Sequence, residues 1–238
     1  MWSPDNYLFD VSGVAEQRLA GRAEEMFNAV WRFGFSAPGF CVLDLGRRVN
    51  SHQLRSKMLE LKECLSEVGG RWGGVRFAYR SLGRFDQQET TKFHLDGAPD
   101  QSLLMLGYEP SNVRSRLSLA DYSRCAYDMN MEPKAFLDEF NPMYRKGDEL
   151  LAPYMTELPQ PAEGHARILL INNSCLPFTH ARTNPLGVLH KAEIPDPDES
   201  ERRIVNSVML VAGGSEEVPE GKLQAFVTTE EISKKFYG

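Results

Sequence analysis

The sequence lacks several features that mark specialised classes of protein. Its four cysteines are scattered and no two of them form a C-x-x-C pair. Such spacing is typical of reduced, packed thiols rather than of a disulfide framework or a zinc cluster. No run approaches the roughly 18 apolar residues of a membrane span, and residues 1–6 show neither a basic leader nor an apolar core. We therefore expect a cytoplasmic protein that does not enter a membrane.

Positive charges are also outnumbered by negative ones. The chain has 27 lysines and arginines against 33 aspartates and glutamates, a net charge of −6. It has no basic block that could neutralise a phosphate backbone, so nucleic acid is excluded as an expected partner. With 238 residues, 42% of them hydrophobic, the chain is long enough for a sizeable core. We predict a single domain over residues 1–238.

The first third of the chain is predicted to be a helical support, residues 1–72. Residues 15–31 are rich in Ala, Glu, Arg and Met and are typical of a first helix. A short apolar strand comes next, at 40–43. Asn50 or Ser51 can cap a second helix, whose apolar residues recur at helical spacing and which is expected to end at Gly69-Gly70. This second helix is amphipathic, so we expect it to lie on a sheet.

Alternating apolar residues predict barrel strands in residues 73–113 and 163–228, the last of them near 223–227. Between these regions, residues 114–162 have a helical composition. We predict a helical insertion there, either a lid over a barrel mouth or a plain packing element. Two helices, many short strands and one helical insertion favour a mainly β protein, an antiparallel sandwich or barrel with helices packed on one sheet.

His94 and Asp96 are the most informative pair of polar residues. They lie two apart in residues 91–97, which are predicted to be a strand, and residues i and i+2 of a strand share a face. An imidazole and a carboxylate on one face can be two ligands of a 2-His-1-carboxylate site, which suits Fe(II). The third ligand must come from a distant histidine. His190 is the best candidate because it lies in a predicted strand between turn-rich segments.

Three other histidines compete with His190. His52 falls in the first turn of a helix that faces outward, His165 starts a strand beside acidic and glycine residues, and His180 lies in a loop flanked by prolines. Any histidine taken alone is more often an ordinary polar or core residue than a metal ligand. The choice therefore depends on the residues downstream of each histidine.

Arg203 lies beyond His190 across a single acidic turn. This interval predicts a hairpin of two antiparallel strands on which both side chains face one interior. A guanidinium there can bind a dicarboxylate through two parallel hydrogen bonds. Period-two spacing puts only one of the two adjacent arginines inside, and we expect Arg202 to be the solvated one.

The order of these residues resembles a known signature. Phe93-His94-Leu95-Asp96, then Gly187-Val188-Leu189-His190, then Arg203, is similar to the His-x-Asp…His…Arg pattern of the Fe(II)/2-oxoglutarate-dependent dioxygenases. The resemblance implies a double-stranded β-helix, that is, a cupin-like jelly roll. It also implies Fe(II) on His94, Asp96 and His190, with the far carboxylate of 2-oxoglutarate on Arg203.

One departure from the family concerns the co-substrate. Family members often carry serine two residues after the arginine, where this chain has Val205. Tyr79 is the candidate replacement, because the alternation over residues 74–81 points its side chain inward and a buried phenol needs a partner.

The resemblance implies an O2-dependent hydroxylase that converts 2-oxoglutarate to succinate and CO2 and acts on a small molecule or a protein side chain. Asp96 argues for oxygenation, because the halogenating members of the family lack this carboxylate. Two alternatives remain: a non-catalytic jelly-roll module that binds a ligand or partner, and a cupin-like metal enzyme that does not use 2-oxoglutarate.

Overall fold

The strands of this protein form two sheets. The computed structural model describes residues 1–12, 17–140, 145–179, 183–213 and 218–233. In chain order, the strands of these residues are β1 (Leu8–Asp10), β2 (Phe40–Gly46), β3 (Phe77–Asp86), β4 (Ser102–Tyr108), β5 (Arg116–Ala120), β6 (Met155–Glu157), β7 (Ala166–Asn172), β8 (Leu189–Glu193) and β9 (Ile204–Ala212). The large sheet has the order β1-β2-β7-β4-β9-β3, and the small sheet has the order β6-β5-β8. All neighbours are antiparallel except β1 and β2.

Helices cover the outer faces of both sheets. The described α-helices are α1 (Gln17–Val30), α2 (Ser51–Gly73), α3 (Tyr122–Asp128), α4 (Pro133–Glu139), α5 (Arg145–Leu151) and α6 (Glu220–Thr228), with short 3-10 helices at Pro4–Asn6 and Ala152–Tyr154. Helices α1 and α2 pack on the large sheet, as the sequence predicts. No helix in the described ranges has the length and apolarity that crossing a membrane requires.

Helix α2 begins where its capping residue Asn50 predicts, but it runs through the Gly69-Gly70 pair that was expected to end it. The side chain of Asn50 accepts a hydrogen bond from the N–H of Gln53, whose side chain accepts one from the N–H of Asn50. This reciprocal capping box satisfies two N–H groups that the helix itself leaves unpaired. Gly74, in the left-handed conformation, ends the helix. A Cβ at Gly107 of β4 would lie 2.5 Å from Met58 Sδ, so α2 crosses the large sheet at close range there.

The large sheet is buried on both faces. Along β4, residues 102–107 are all buried, because alternate side chains face α2 on one side and the small sheet on the other. Strands buried on both faces show continuous apolar runs rather than alternation. The space between the two sheets is therefore an apolar interior, and side chains on the inner faces of both sheets line it.

The predicted insertion is only partly helical. Residues 116–120 and 155–157, near the ends of the predicted segment 114–162, are the strands β5 and β6 of the small sheet. Helices α3, α4 and α5 lie between them and bury Tyr122, Phe136 and Leu151 in a cluster on the outer face of the small sheet. The strand predicted near 223–227 is wrong, because α6 covers it and buries Phe226.

The sheet arrangement agrees with the prediction at the level of fold class. Two sheets of mostly antiparallel strands with several flanking helices are consistent with a jelly roll. In the ranges that the structure describes, the sheets do not join into a closed barrel. Strands β8 and β9 also belong to different sheets, so the hairpin predicted between His190 and Arg203 is wrong. The chain between these strands crosses from the small sheet to the large one.

Candidate metal centre

A backbone bridge brings the two candidate histidines together. The N–H of His94 donates to the carbonyl of His190 (3.1 Å), and the N–H of His190 donates back to the carbonyl of His94 (3.2 Å). The sequence predicts a strand over residues 91–97, but the structure has only this isolated bridge there. The hydroxyls of Thr90 and Thr91 accept hydrogen bonds from N–H groups at the end of β8, so side chains replace part of the backbone ladder.

The side chains of His94, Asp96 and His190 converge. Each offers one ligand atom, and the three atoms lie within 4.8 Å of one another. The two imidazole centroids are 4.2 Å apart, and Asp96 Oδ1 lies 3.3 Å from His94 Nε2. Two nitrogens and one carboxylate oxygen are the donor set of a facial triad that suits Fe(II). These residues could hold a divalent metal ion.

The surroundings of the triad differ from one side to the other. His190 is buried, while the side chains of His94 and Asp96 are 25% and 37% exposed. A metal ion here would therefore be reached from the side of His94 and Asp96. His94 Nδ1 lies 2.7 Å from the carbonyl oxygen of Lys92. Because a carbonyl only accepts hydrogen bonds, Nδ1 carries the proton and Nε2 is the nitrogen that can act as a ligand.

Asn173 holds the backbone of Asp96 in place. The N–H of Asp96 donates to Asn173 Oδ1 (3.0 Å), and Asn173 Nδ2 donates to the carbonyl of Asp96 (2.9 Å) and to Ser102 Oγ (3.2 Å). Asn173 is itself buried and comes directly after β7. This contact fixes the candidate ligand to the ends of the central strands β7 and β4. Sequence reasoning missed Asn173, although an Asn-Asn-Ser run at the end of an apolar strand is a recognisable signal.

We predict that Asn173→Ala weakens divalent metal binding about 10- to 100-fold, the usual cost of removing a group that orients a ligand. The carboxylate of Asp96 remains, but its backbone loses both hydrogen bonds to the amide. Titration of the metal-free protein with Co(II), followed by its visible absorption, measures the change.

Asn172→Ala is the matched control. The side chain of Asn172 is also buried and makes two hydrogen bonds, to the carbonyl of Val30 and the N–H of Ser174, but it does not contact Asp96. Both variants are expected to lower the free energy of unfolding, and only Asn173→Ala is expected to lower Co(II) affinity. Equal Co(II) affinities for the two variants would contradict the assigned role.

Arg203 lies just before β9 and is buried, with 3% of its surface exposed. Its Nη1 donates to the carbonyl of Gln87 (2.9 Å). Its Nη2 finds no hydrogen-bond partner among the described residues, nor does any described carboxylate lie within 4.0 Å of the guanidinium. A buried charge without a counter-ion is costly, so an anionic ligand is the chemistry that this group fits. Arg202 is exposed, as the sequence predicts.

Tyr79 does not lie where the sequence predicts. It pairs with Leu210 in the large sheet, and Lys62 Nζ of α2 lies 4.9 Å above its ring. The side chain therefore faces the helices rather than the space between the sheets. The predicted role of Tyr79 in holding a co-substrate is corrected accordingly, because the strand places its phenol on the wrong face.

Tyr108, at the end of β4, is the tyrosine that lies beside Arg203, where the sequence predicts Tyr79. The Arg203 guanidinium carbon lies 5.1 Å from the centre of its ring. Burial raises the pKa of Tyr108, the positive charge of Arg203 opposes that rise, and the negative charge of Asp96 adds to it. Tyr108 therefore lies within electrostatic range of both the candidate ligand Asp96 and Arg203. It stays neutral and can donate a hydrogen bond.

The competing histidines make other contacts. His52 Nε2 lies 2.7 Å from a carboxylate oxygen of Glu230 on the surface. His165 Nδ1 lies 2.7 Å from Asp44 Oδ1. Burial alone would raise the pKa of Asp44, but the hydrogen bond to His165 and the charge of Arg167 help to hold it below its usual value. His180 lies outside the described residues. Among the described residues, a three-member group of possible metal ligands forms at His190 and not at these histidines.

Comparison with known proteins adds a weak likeness to solved structures. No protein-family model matches the chain, and no curated protein matches it. Among solved structures, the chain is similar to an asparagine oxygenase in complex with Fe(II), 2S,3S-3-hydroxyasparagine and succinate. The sequences are 13% identical, the match covers 85% of this chain and 93% of that one, and the TM-score is 0.44. A likeness at this level carries no argument about function.

Proposed function

We propose that this protein is an Fe(II)/2-oxoglutarate-dependent oxygenase that hydroxylates a small molecule or a protein side chain. The observation that carries the proposal is the convergence of one ligand atom each from His94, Asp96 and His190 within 4.8 Å. Two imidazoles and one carboxylate fill one side of a metal ion and leave the other side for co-substrate and O2. The buried guanidinium of Arg203 supports the choice of 2-oxoglutarate.

The strand order supports a double-stranded β-helix as the finer description of the fold. The bridge at His94 puts residues 90–94 beside β8, which gives the order 90–94, β8, β5, β6 on the small-sheet side. On the large-sheet side, β3, β9, β4 and β7 are a matching set of four. Two facing sets of four strands are typical of a jelly roll. We propose that β1 and β2 extend this core.

The donor set fits Fe(II). Bound Fe(II), with 2-oxoglutarate as the source of electrons, supplies the activation of O2 and the oxidation of a substrate C–H bond, with succinate and CO2 as co-products. In this chain, the hydrogen bond from His94 to Lys92 keeps the ring proton on Nδ1, and Asn173 fixes Asp96. The partial exposure of His94 and Asp96 makes their side the approach for substrate.

Arg203 and Tyr108 would bind the far carboxylate of 2-oxoglutarate. The guanidinium offers a buried Nη2 that has no partner among the described residues, and charge-assisted bonds from arginine to carboxylate are short and strong. Tyr108, kept neutral by burial, adds a phenolic donor and compensates for Val205. Apolar side chains between the sheets, Leu106 and Met209 among them, exclude water from the co-substrate.

A turnover assay tests the reaction class before the substrate is known. Protein with Fe(II), 2-oxoglutarate and O2 is expected to form succinate in the presence of a metabolite extract, and more slowly without it. Protein loaded with Zn(II) is the control and is expected to form none, because Zn(II) is not redox-active. O2 consumption that does not require 2-oxoglutarate would favour the cupin-like enzyme. Absence of both turnover and 2-oxoglutarate binding would favour the binding module.

A further inference from the structure

Exposed aromatic side chains are concentrated around one surface groove. Phe33 and Tyr127, with 40% and 57% of their surface exposed, are among the few large apolar residues that the described part of the chain leaves open to solvent. Both line a groove of about 660 Å³, together with Phe35 and Phe178. No described member of the triad lines this aromatic groove. Apolar surface that clusters in a concave site marks a place where a ligand or partner binds.

The rings of the aromatic groove meet at steep angles. The Tyr127 ring lies between two others: its centroid is 5.3 Å from that of Phe35, at an interplanar angle of 54°, and 5.7 Å from that of Phe178, at 88°. Two perpendicular rings form a corner with an aromatic face on each side. Aromatic faces carry the negative part of the ring quadrupole, so such a corner attracts a cation. Proteins recognise quaternary ammonium groups through aromatic rings arranged around them.

One ring of the groove already holds cations. The guanidinium carbon of Arg124 lies 5.2 Å from the centre of the Phe35 ring, and that of Arg32 lies 5.7 Å from it. Arg124 Nε is 3.1 Å from Asp128 Oδ1, and Arg32 is paired with Asp121, so both positive charges are compensated. The other rings of the groove have no described cation over them. A cation on those rings has to come from a ligand.

The uncompensated charge of the groove is negative. Of the described residues that line it, Arg124 and Glu132 are the charged ones. Because Asp128 compensates Arg124, the charge that remains is the exposed carboxylate of Glu132. Its Oε2 accepts a hydrogen bond from the N–H of Phe178 (2.7 Å), which holds the carboxylate beside that residue. The groove is therefore complementary to a positively charged ligand.

We propose that the aromatic groove binds a small molecule that carries a trimethylammonium group. The methyl groups lie in the corner between Tyr127 and Phe178, and Glu132 is the counter-ion. A primary ammonium is strongly hydrated and has three N–H donors to satisfy, whereas a trimethylammonium group has no N–H and presents methyl groups to the rings. The volume of about 660 Å³ lies within the range of roughly 300–1,000 Å³ that small-molecule pockets have. The groove shares no described residue with the triad, so this ligand goes beyond the proposed function.

Calorimetric titration of the metal-free protein with choline chloride, at constant ionic strength, tests the site directly. Choline is expected to bind with a Kd on the order of 1 mM. Dimethylbutanol, in which a carbon atom replaces the charged nitrogen of choline, is expected to bind at least about tenfold more weakly because it lacks the cation–π attraction. Lack of choline binding up to about 50 mM, or equal binding of the two compounds, would overturn the proposal.

Ethanolamine separates the rings from simple charge attraction, because it has the alcohol of choline with a primary ammonium. It is expected to bind at least about fivefold more weakly than choline, since its ammonium group gives up more hydration on entering the groove. Equal binding of ethanolamine and choline would show an ion pair that does not use the rings, and would contradict the proposed ligand class.

Tyr127→Leu keeps an apolar side chain but removes one ring, and is expected to weaken choline binding at least about fivefold. Tyr127→Phe is the matched control, because it keeps the ring, and is expected to change the Kd less than about twofold. Trp72→Leu removes an exposed aromatic residue that does not line the groove, so choline binding is expected to be unchanged. Normal choline binding by folded Tyr127→Leu would show that the ring is not part of the site.

Glu132→Gln removes the counter-ion and is expected to weaken choline binding about threefold to tenfold, since the carboxylate is exposed and screened by solvent. Glu139→Gln, at the other end of α4, removes the same charge from a residue that does not line the groove, and is expected to leave the Kd unchanged. Equal effects of the two variants would contradict a local role for Glu132. This pair also decides the proposal if Tyr127→Leu does not fold.

A short peptide that contains one trimethyllysine distinguishes a small ligand from a protein partner. It is expected to bind no more than about threefold more tightly than choline, because the proposed contacts involve the trimethylammonium group alone. Binding at least about tenfold tighter than that of choline would assign the groove to a protein partner and overturn the small-molecule ligand. All these titrations use metal-free protein, so their failure leaves the proposed oxygenase reaction to be decided by its own turnover assay.

Discussion

His190→Ala is expected to abolish the visible absorption band that the wild-type protein develops on anaerobic addition of Fe(II) and 2-oxoglutarate. The band reports a complex in which both are bound, and His190 is the buried member of the triad. Changes in groups that only orient a ligand lower metal affinity 10- to 100-fold, so loss of a ligand is expected to cost more than about 100-fold. His94→Ala is expected to have the same effect.

Two other histidines provide controls for this experiment. His165→Ala removes an imidazole that binds Asp44, and His52→Ala removes one that binds Glu230 at the surface. Neither residue lies in the triad, so both variants are expected to keep the band. Survival of the band in His190→Ala, or its loss in His165→Ala, would assign the metal to other ligands. Thermal unfolding of each variant separates loss of the site from loss of the fold.

Local spacing predicted the candidate ligands better than it predicted the elements that carry them. His94 and Asp96 lie close to each other because two-residue spacing in extended chain keeps side chains on one side. This holds although residues 91–97 form an isolated bridge to β8 rather than a strand. His190 joins them through the bridge itself, a long-range contact that no local pattern encodes. Its assignment depended on its place in a predicted strand and on Arg203 downstream.

The faces of the large sheet could not be predicted from alternation. Residues 102–107 of β4 are all buried, because helices cover one face and the small sheet covers the other. Alternation along a strand predicts which side chains share a face. When both faces are buried, it does not predict which face contains the site. For this reason Tyr79 was assigned to the interior while Tyr108, which contacts Arg203, was missed.

The predicted pairing of strands was also partly wrong. A short acidic turn between His190 and Arg203 predicts a hairpin, yet β8 and β9 lie in different sheets. The length and charge of the turn do not encode that the chain crosses from the small sheet to the large one between these strands. Near the C-terminus, Leu223 and Val227 satisfy both helical and strand patterns in a short apolar run, and burial of Phe226 on α6 decides for the helix.

Arg203→Ala is expected to raise the Kd of 2-oxoglutarate by roughly 100-fold while Fe(II) binding survives. Truncating one partner of a buried charged pair costs about 2–5 kcal/mol, and about 2.8 kcal/mol corresponds to 100-fold. Anaerobic titration of the Fe(II)-loaded protein with 2-oxoglutarate, followed at the visible band, measures this Kd. Titration of metal-free protein with Co(II) shows separately whether the triad is intact.

Two further variants, Arg202→Ala and Arg203→Lys, serve as controls for Arg203→Ala. Arg202 is exposed, so Arg202→Ala is expected to change the Kd of 2-oxoglutarate less than twofold. Arg203→Lys keeps the charge but loses the planar pair of donors, and an intermediate Kd is expected. Arg203 also donates to the carbonyl of Gln87, so both substitutions at this position are expected to lower the free energy of unfolding. A co-substrate role requires the Kd of 2-oxoglutarate to change as well. Weaker 2-oxoglutarate binding in Arg202→Ala with normal binding in Arg203→Ala would show that the wrong arginine faces the interior.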